Sequence, residues 1–314
     1  MITANTSEQH YCGIGGQAVL EGVMMKNGKD YAVAVRKENG EIVIKKDKYE
    51  GALSNLPVRN IPIARGFFVL IDSLVLGLKV TDYSASMYDP EDNTDPESPR
   101  EKLITTLILI ASLVIAVGLF ILLPYTIASL VSAKIGNSNL LVLIEGIMRL
   151  AVFLIYISAI SAMKDIRRLY QYHGAEHKCI NCLESGLPLT VENARKSTRL
   201  HKRCGSSFTM FVMLVSIILF FFIRTDSHIL RVVLRILLIP VISGVSYEII
   251  RLAGSSSNPL IQLISKPGLW LQLITTKEPD DDMIRVGIAS VEAVFDWEKY
   301  LSEDFGRSGQ SSGE

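Results

Sequence analysis

"LLVLIEGIMRLAVFLIYISAISAM" (140–163) runs without interruption into "KDIRRLYQYHGAEHK" (164–178), and the junction decides where this chain sits. The first part is apolar over the length that crosses a bilayer, about 20 residues, with Glu145 and Arg149 the charges inside it. The second part opens on a basic cluster and ends in two histidines. Three further runs resemble the first: Leu103 to Val131, broken by Pro124; Ser206 to Ile223; and Ile229 to Ala253, which carries Arg231, Arg235, Glu248 and Arg251. The mean hydropathy of +0.31 agrees with a membrane protein. The expectation is a mainly α membrane protein, four transmembrane helices carrying a cytoplasmic α+β head.

Orientation follows from the basic residues. The stretch from Lys164 to Gly205 holds Lys or Arg at 164, 167, 168, 178, 195, 196, 199, 202 and 203, whereas the other two links hold Lys134 and Arg224. The positive-inside rule puts the long link in the cytoplasm, and an even number of spans puts both termini there. A multi-pass cell-membrane protein is expected, in contact with membrane lipids. The opening residues lack a basic region followed by an apolar core, so no secretory signal is expected. With 32 basic and 32 acidic residues, nothing points to a nucleic-acid partner. Within the spans, Glu145 with Arg149 and Arg231 with Arg235 stand four apart and read as a structural ionic lock.

The remainder divides by composition. Residues 1–60 form an N-terminal β-rich unit, since "DYAVAVRKENGEIVIKKDKYE" turns at Asn39-Gly40, a strong hairpin signal. Residues 61–88 read as an interfacial or half-buried helix, and 89–101 as an acidic linker. Spans one and two fill 102–163, the His/Cys segment 164–205, and spans three and four 206–253. Residues 254–300 read as interfacial or cytoplasmic helices. They comprise two short pieces around Pro267 and an amphipathic helix with acids in its first turn and a core stripe of Ile284, Ile288, Val291 and Phe295. A disordered tail, 301–314, is expected to close the chain.

The chemistry concentrates in the long link. His173 and His177 are four apart, so both imidazoles reach one ion from one helical face. With Glu176 they spell H-x-x-E-H, in which two histidines hold a divalent metal, here zinc, and the glutamate takes a proton from water activated by it. His201 and Cys204 are the nearest candidates for a third ligand, and Glu248 is a distant one. Two rival patterns coexist. Cys179-x-x-Cys182 with His201-x-x-Cys204 has the spacing of a closed, structural zinc ribbon. Alternatively, the histidines hydrogen-bond headgroups or carbonyls at a basic membrane edge. If the link helix simply continues the second span, His173 stands roughly 15 Å beyond Met163, above the membrane surface.

These segments, with "GGQAVLEGVMMKNG", "IPIARGFFVLIDSLVLGLK" and "TTKEPDDDMIRVGIASVEAVF", resemble the bacterial YqhQ family, the domain of unknown function 1385, from about Gly13 to Phe295. The family is commonly labelled a metal-dependent membrane enzyme. The resemblance implies a site of His173, Glu176, His177, His201 and Cys204. The family pattern has Thr where this chain has Cys179, which leaves Cys182 as the matched thiol. The expected function is metal-dependent hydrolysis at the cytoplasmic face: Glu176 as general base, and metal held by His173, His177, His201 and Cys204. The alternative is a non-catalytic scaffold or membrane-protein biogenesis factor with a structural zinc clip, docking a membrane-protein partner through its basic face.

Overall fold

The computed structural model describes residues 10–51, 56–88, 98–132, 138–223, 225, 227–256 and 258–306. Most of the acidic linker, the tail from 307, Lys134 and Arg224 lie outside the described residues, as does the side chain of Arg231. The N-terminal unit is a four-stranded antiparallel meander of β1 (Ile14–Val19), β2 (Gly22–Asn27), β3 (Asp30–Arg36) and β4 (Ile42–Lys48). The expected hairpin joins β3 to β4, where Gly40 takes φ +85° and the Glu41 N–H donates to Asn39 Oδ1 at 3.0 Å. β4 is an edge strand, and Lys45, Lys46 and Lys48 discourage further pairing along it.

The sheet is covered on both faces, which a single hairpin pattern does not reveal. Ile14, Val23, Met25 and Ala34 pack on α5 (Lys164–Glu184) and α11 (Asp281–Glu292). Val19, Met24, Tyr31, Val33 and Val35 pack on Leu76 and Val80 of α1 (Ala64–Tyr88). At the β1–β2 turn Glu21 adopts φ +49°, unfavourable for a residue with a side chain by roughly 1–3 kcal/mol. Its buried carboxylate accepts from Tyr172 Oη at 2.9 Å and from both Nε and Nη2 of Arg168, which offsets the strain and pins the turn to α5.

Among the described residues two helical stretches, Thr106–Ala128 and Leu140–Ile160, are long and apolar enough to cross a membrane; four were expected. The first runs through α2 (Pro99–Val117), a π-turn (Gly118–Leu122) and α3 (Leu123–Ser132). Pro124 has no N–H for the Phe120 carbonyl four residues back, and Arg149 Nε from α4 (Ser138–Ile160) donates to it instead at 3.2 Å. α7 (Gly205–Phe221) is apolar but only 17 residues long. The expected fourth span is divided at Leu238 into α8 (His228–Leu237) and α9 (Ile239–Ser255), because Pro240 interrupts the backbone ladder. The ionic lock takes the form of Glu145 accepting from Arg149 at 2.8 Å and from Arg235 at 2.7 Å.

Three further boundaries differ from the sequence expectation. The two pieces around Pro267 are one helix, α10 (Pro259–Thr275), and Pro267 lies inside it. Its Leu271 packs with Phe153 of α4 and Met210 of α7. The amphipathic C-terminal stretch is α11, capped by Asp280 accepting from the Met283 N–H at 2.8 Å, followed by α12 (Trp297–Phe305), which extends past the expected boundary at 300. Finally, α5 does not continue α4. The chain turns over Ser161–Met163, with Met163 extended at ψ 137°, so α5 sets off in a new direction.

Candidate metal centre

From Gly174 to Glu184, α5 is buried on every side although five of these eleven residues are charged or polar. Burial of this kind requires a partner for each polar group. Gly174 admits the 276–279 segment: a Cβ there would lie 2.0 Å from the Lys277 carbonyl oxygen, and the Lys277 N–H donates to Tyr170 O at 2.8 Å. On the sheet side Gly16 of β1 leaves room for Glu176, whose carboxyl would meet a Cβ at 2.8 Å.

The remaining polar groups of α5 hold an irregular strap. After α6 (Val191–Lys196) the chain runs along α5 with its carbonyls turned inward. Lys178 Nζ donates to the carbonyls of Arg195 and Ser197 at 2.8 and 2.9 Å, Asn181 Nδ2 to those of Thr198 and Leu200 at 2.7 and 3.1 Å, and His177 Nδ1 to that of Arg199 at 2.7 Å. Thus the polar residues of "EHKCIN" seat the segment that delivers Cys204. Replacing Asn181 by Leu should remove the donor that the Thr198 and Leu200 carbonyls share and cost about 2 kcal/mol in denaturant unfolding. An unchanged midpoint would mean that the strap is held by other contacts.

His173, His177 and Cys204 converge, each offering a ligand atom within 4.8 Å of the others. His173 Nδ1 donates to the Thr275 carbonyl at 2.8 Å, and Nε2 meets Cys204 Sγ at 3.1 Å. His177, with Nδ1 committed to Arg199, is left with a buried Nε2 that has no hydrogen-bond partner. Fixing Nδ1–H on a carbonyl selects the tautomer whose Nε2 lone pair points at the cluster, the arrangement that orients histidine ligands. Cys204 caps α7, accepting from the Ser206 N–H at 3.4 Å, and a helix N-terminus favours a thiolate. Burial opposes that charge, yet His173 and His177 hold the thiol well below its ordinary value. Burial alone would lower His173, but Cys204 outweighs it and lifts the ring to about 9. Burial raises the Glu176 carboxyl against the pull of His173 and His177, and its Oε2 is also buried without a partner. Two imidazoles and a thiolate around one point fit zinc, and an unpartnered Nε2 is the kind of atom an ion would satisfy.

The other candidates go elsewhere. His201 stands beside this cluster rather than in it. Gln272 clamps its backbone, donating to the His201 carbonyl at 2.7 Å and accepting its N–H at 2.8 Å, while its Nε2 lies 3.4 Å from Glu184 Oε2, buried and, like His177 Nε2, without a hydrogen-bond partner. Burial lowers the His201 ring, and Glu184 is held low against burial by His201 and Arg203. Cys179 and Cys182 face away on α5: Cys179 Sγ lies 3.9 Å from the Ile284 carbonyl and Cys182 Sγ 3.4 Å from that of Pro188. The ribbon spacing is therefore not realised in space, and burial pushes the Cys182 thiol up to about 12, an unreactive value. Glu248 pairs with Arg65 through Nε at 2.6 Å and through Nη2, tying α9 to the start of α1.

Sequence reasoning passed over Glu184, although seven residues beyond His177 is about two helical turns and hence the same face of α5. It also missed the carbonyls of Arg199 and Thr275, which no side-chain pattern can announce.

A family model described as a protein of unknown function, DUF1385, matches residues 61–297, and the chain belongs to that family. It is 38% identical over 287 residues to the uncharacterized protein YqhQ of Bacillus subtilis (strain 168), covering 88% of this chain and 90% of that one. No solved structure matches.

Proposed function

We propose that this chain is a membrane-embedded, zinc-dependent hydrolase whose site opens at the cytoplasmic face. The observation that carries the reading is the buried, unpartnered Nε2 of His177 beside His173 and Cys204, with both Nδ1 atoms pinned to carbonyls. Three protein ligands with a position left over is the pattern of catalytic rather than structural zinc. A zinc ion held there supplies a Lewis acid that activates water near neutral pH. Glu176 Oε2 accepts the proton and returns it to the leaving group, and its raised affinity for protons suits both transfers. The Thr275 and Arg199 carbonyls keep the two rings from rotating, so the ligands need no reorganisation.

Thr106–Ala128 and Leu140–Ile160 cross the membrane in this reading, α7 packs on the second, α8 is tied to that second stretch through Arg235 and Glu145, and α9 packs on α7 to complete a four-span bundle, with the basic 164–205 segment keeping the head in the cytoplasm. The substrate is then cytosolic or presented at the interface by a lipid or membrane-protein partner. The competing reading, a scaffold or biogenesis factor clipped by zinc, draws support from the depth of the cluster, since His177 is 0% exposed. Glu176→Gln separates the two. A hydrolase variant should retain its metal yet fail to complement a deletion strain. Full complementation with metal bound would overturn the hydrolase and favour the clip.

A further inference from the structure

α10 is inverted relative to a helix on a water-soluble domain. Its buried side is mostly small or polar, with Ser265, Gly268, Gln272 and Thr275, while Leu263, Trp270 and Leu273 are 56%, 62% and 49% exposed. Lys266 is the only charged residue in the helix. α1 shows the outward half of this pattern: Leu74, Val75 and Leu78 face out, while Leu76 and Val80 join Gly66, Gly77 and Ser84 on the inner side. Small residues at helix contacts with large apolar ones outside are the packing pattern of helices in lipid.

Position indicates what covers this face. Both ends of α10 meet the head: Thr275 O accepts from His173, and near the start Gln262 Nε2 donates to Ser256 O, two residues after the Gly254 carbonyl that takes Arg203. The helix therefore lies across the head end of the bundle rather than through it. Leu271 sits against Phe153 of α4, with Leu150, Leu154 and Ile157 around it. Phe153 is seven residues before the end of α4 at Ile160, about 10 Å inside it along the axis. That matches the depth, about 5–10 Å, to which interfacial helices bury their apolar side.

We infer that α10 is a non-spanning helix seated in the bilayer leaflet next to the head, its Leu263–Trp270–Leu273 face covered by lipid acyl chains. Lys266 reaches the headgroups along its own aliphatic stem. The same helix supplies the Thr275 carbonyl to His173 and Gln272 to His201, so the candidate metal centre lies at the membrane boundary. The inference rests on the membrane reading above and not on the presence of metal.

Trp270 and Trp297 are the two tryptophans of the chain, and Trp297 packs against the head core. The full-length W297F protein, reconstituted into phosphatidylcholine vesicles with vicinally brominated acyl chains, should fluoresce severalfold more weakly than in unbrominated vesicles. Should W297F fold poorly, wild type carries the test: its bromine quenching should vanish on W270F. Equal fluorescence in both lipids, with the protein still floating with the vesicles, would overturn the inference. Iodide quenching would then place Trp270 in water, and cross-linking of L273C would cover it with a second copy. Failure to float with vesicles would overturn the membrane reading itself.

Discussion

Replacing His177 by alanine should strip the detergent-purified protein of bound metal. His177 Nε2 is buried and has no hydrogen-bond partner, and its ring is held by a backbone carbonyl in the orientation a ligand needs. Losing only an orienting partner of a ligand weakens metal binding by about 10–100-fold, and losing the ligand itself should exceed that range. Cys204→Ser should behave alike, because the hydroxyl cannot supply the thiolate that His173 and His177 favour. Cys179→Ser and Cys182→Ser should leave the metal content unchanged, since those thiols face Ile284 and Pro188. The measurement is elemental analysis of matched preparations. An H177A protein as metal-rich as wild type would remove the basis of the proposed function.

The largest structural effect is expected at Gly174. An alanine there would place its Cβ 2.0 Å from the Lys277 carbonyl oxygen, well inside any contact distance. A flexible side chain could move aside, but this obstacle is backbone and is anchored. The Lys277 N–H is bonded to Tyr170 O, and Arg199 Nη1 donates to the neighbouring Thr276 carbonyl. Relief requires the 275–279 segment to lift off α5, which also withdraws the Thr275 carbonyl from His173. Gly174→Ala should therefore cost about 3 kcal/mol, the upper end of ordinary overpacking. Thermal unfolding should move down by roughly 5–10 °C, with metal lost as well. An unchanged melting temperature would show that this segment is not seated on α5.

Much of the candidate site was legible in residue spacing because an α-helix turns a four-residue interval into a shared face. His173 and His177 needed no fold to be paired, and Glu176 between them marked the carboxylate. Cys204 and His201 looked equivalent as third ligands, since both lie on the same short stretch and both types bind zinc. They differ only in what awaits them. Gln272, far along the chain, grips the His201 backbone and Glu184 draws its ring away, while the cap of α7 leaves Cys204 Sγ facing the histidines. The ribbon spacing misled for a related reason: Cys179 and Cys182 share a helix with His173 and His177 but project from other faces of it.

The sequence by itself determined two of the four expected apolar spans, the β3–β4 hairpin, the family and the histidine pair, because each rests on local periodicity, turn chemistry or an unbroken motif. Only the tertiary structure decided that the sheet is covered on both faces and that Pro240 divides the last apolar run. It alone decided, too, that α5 departs from α4 at Met163 and that Cys204 rather than His201 completes the cluster. Those outcomes depend on carbonyls and close approaches between segments about a hundred or more residues apart, such as Thr275 with His173, Lys277 with Gly174 and Ser290 with Ala32. A backbone carbonyl is the same in every residue, so nothing in the chain's lettering marks which one will hold a ring.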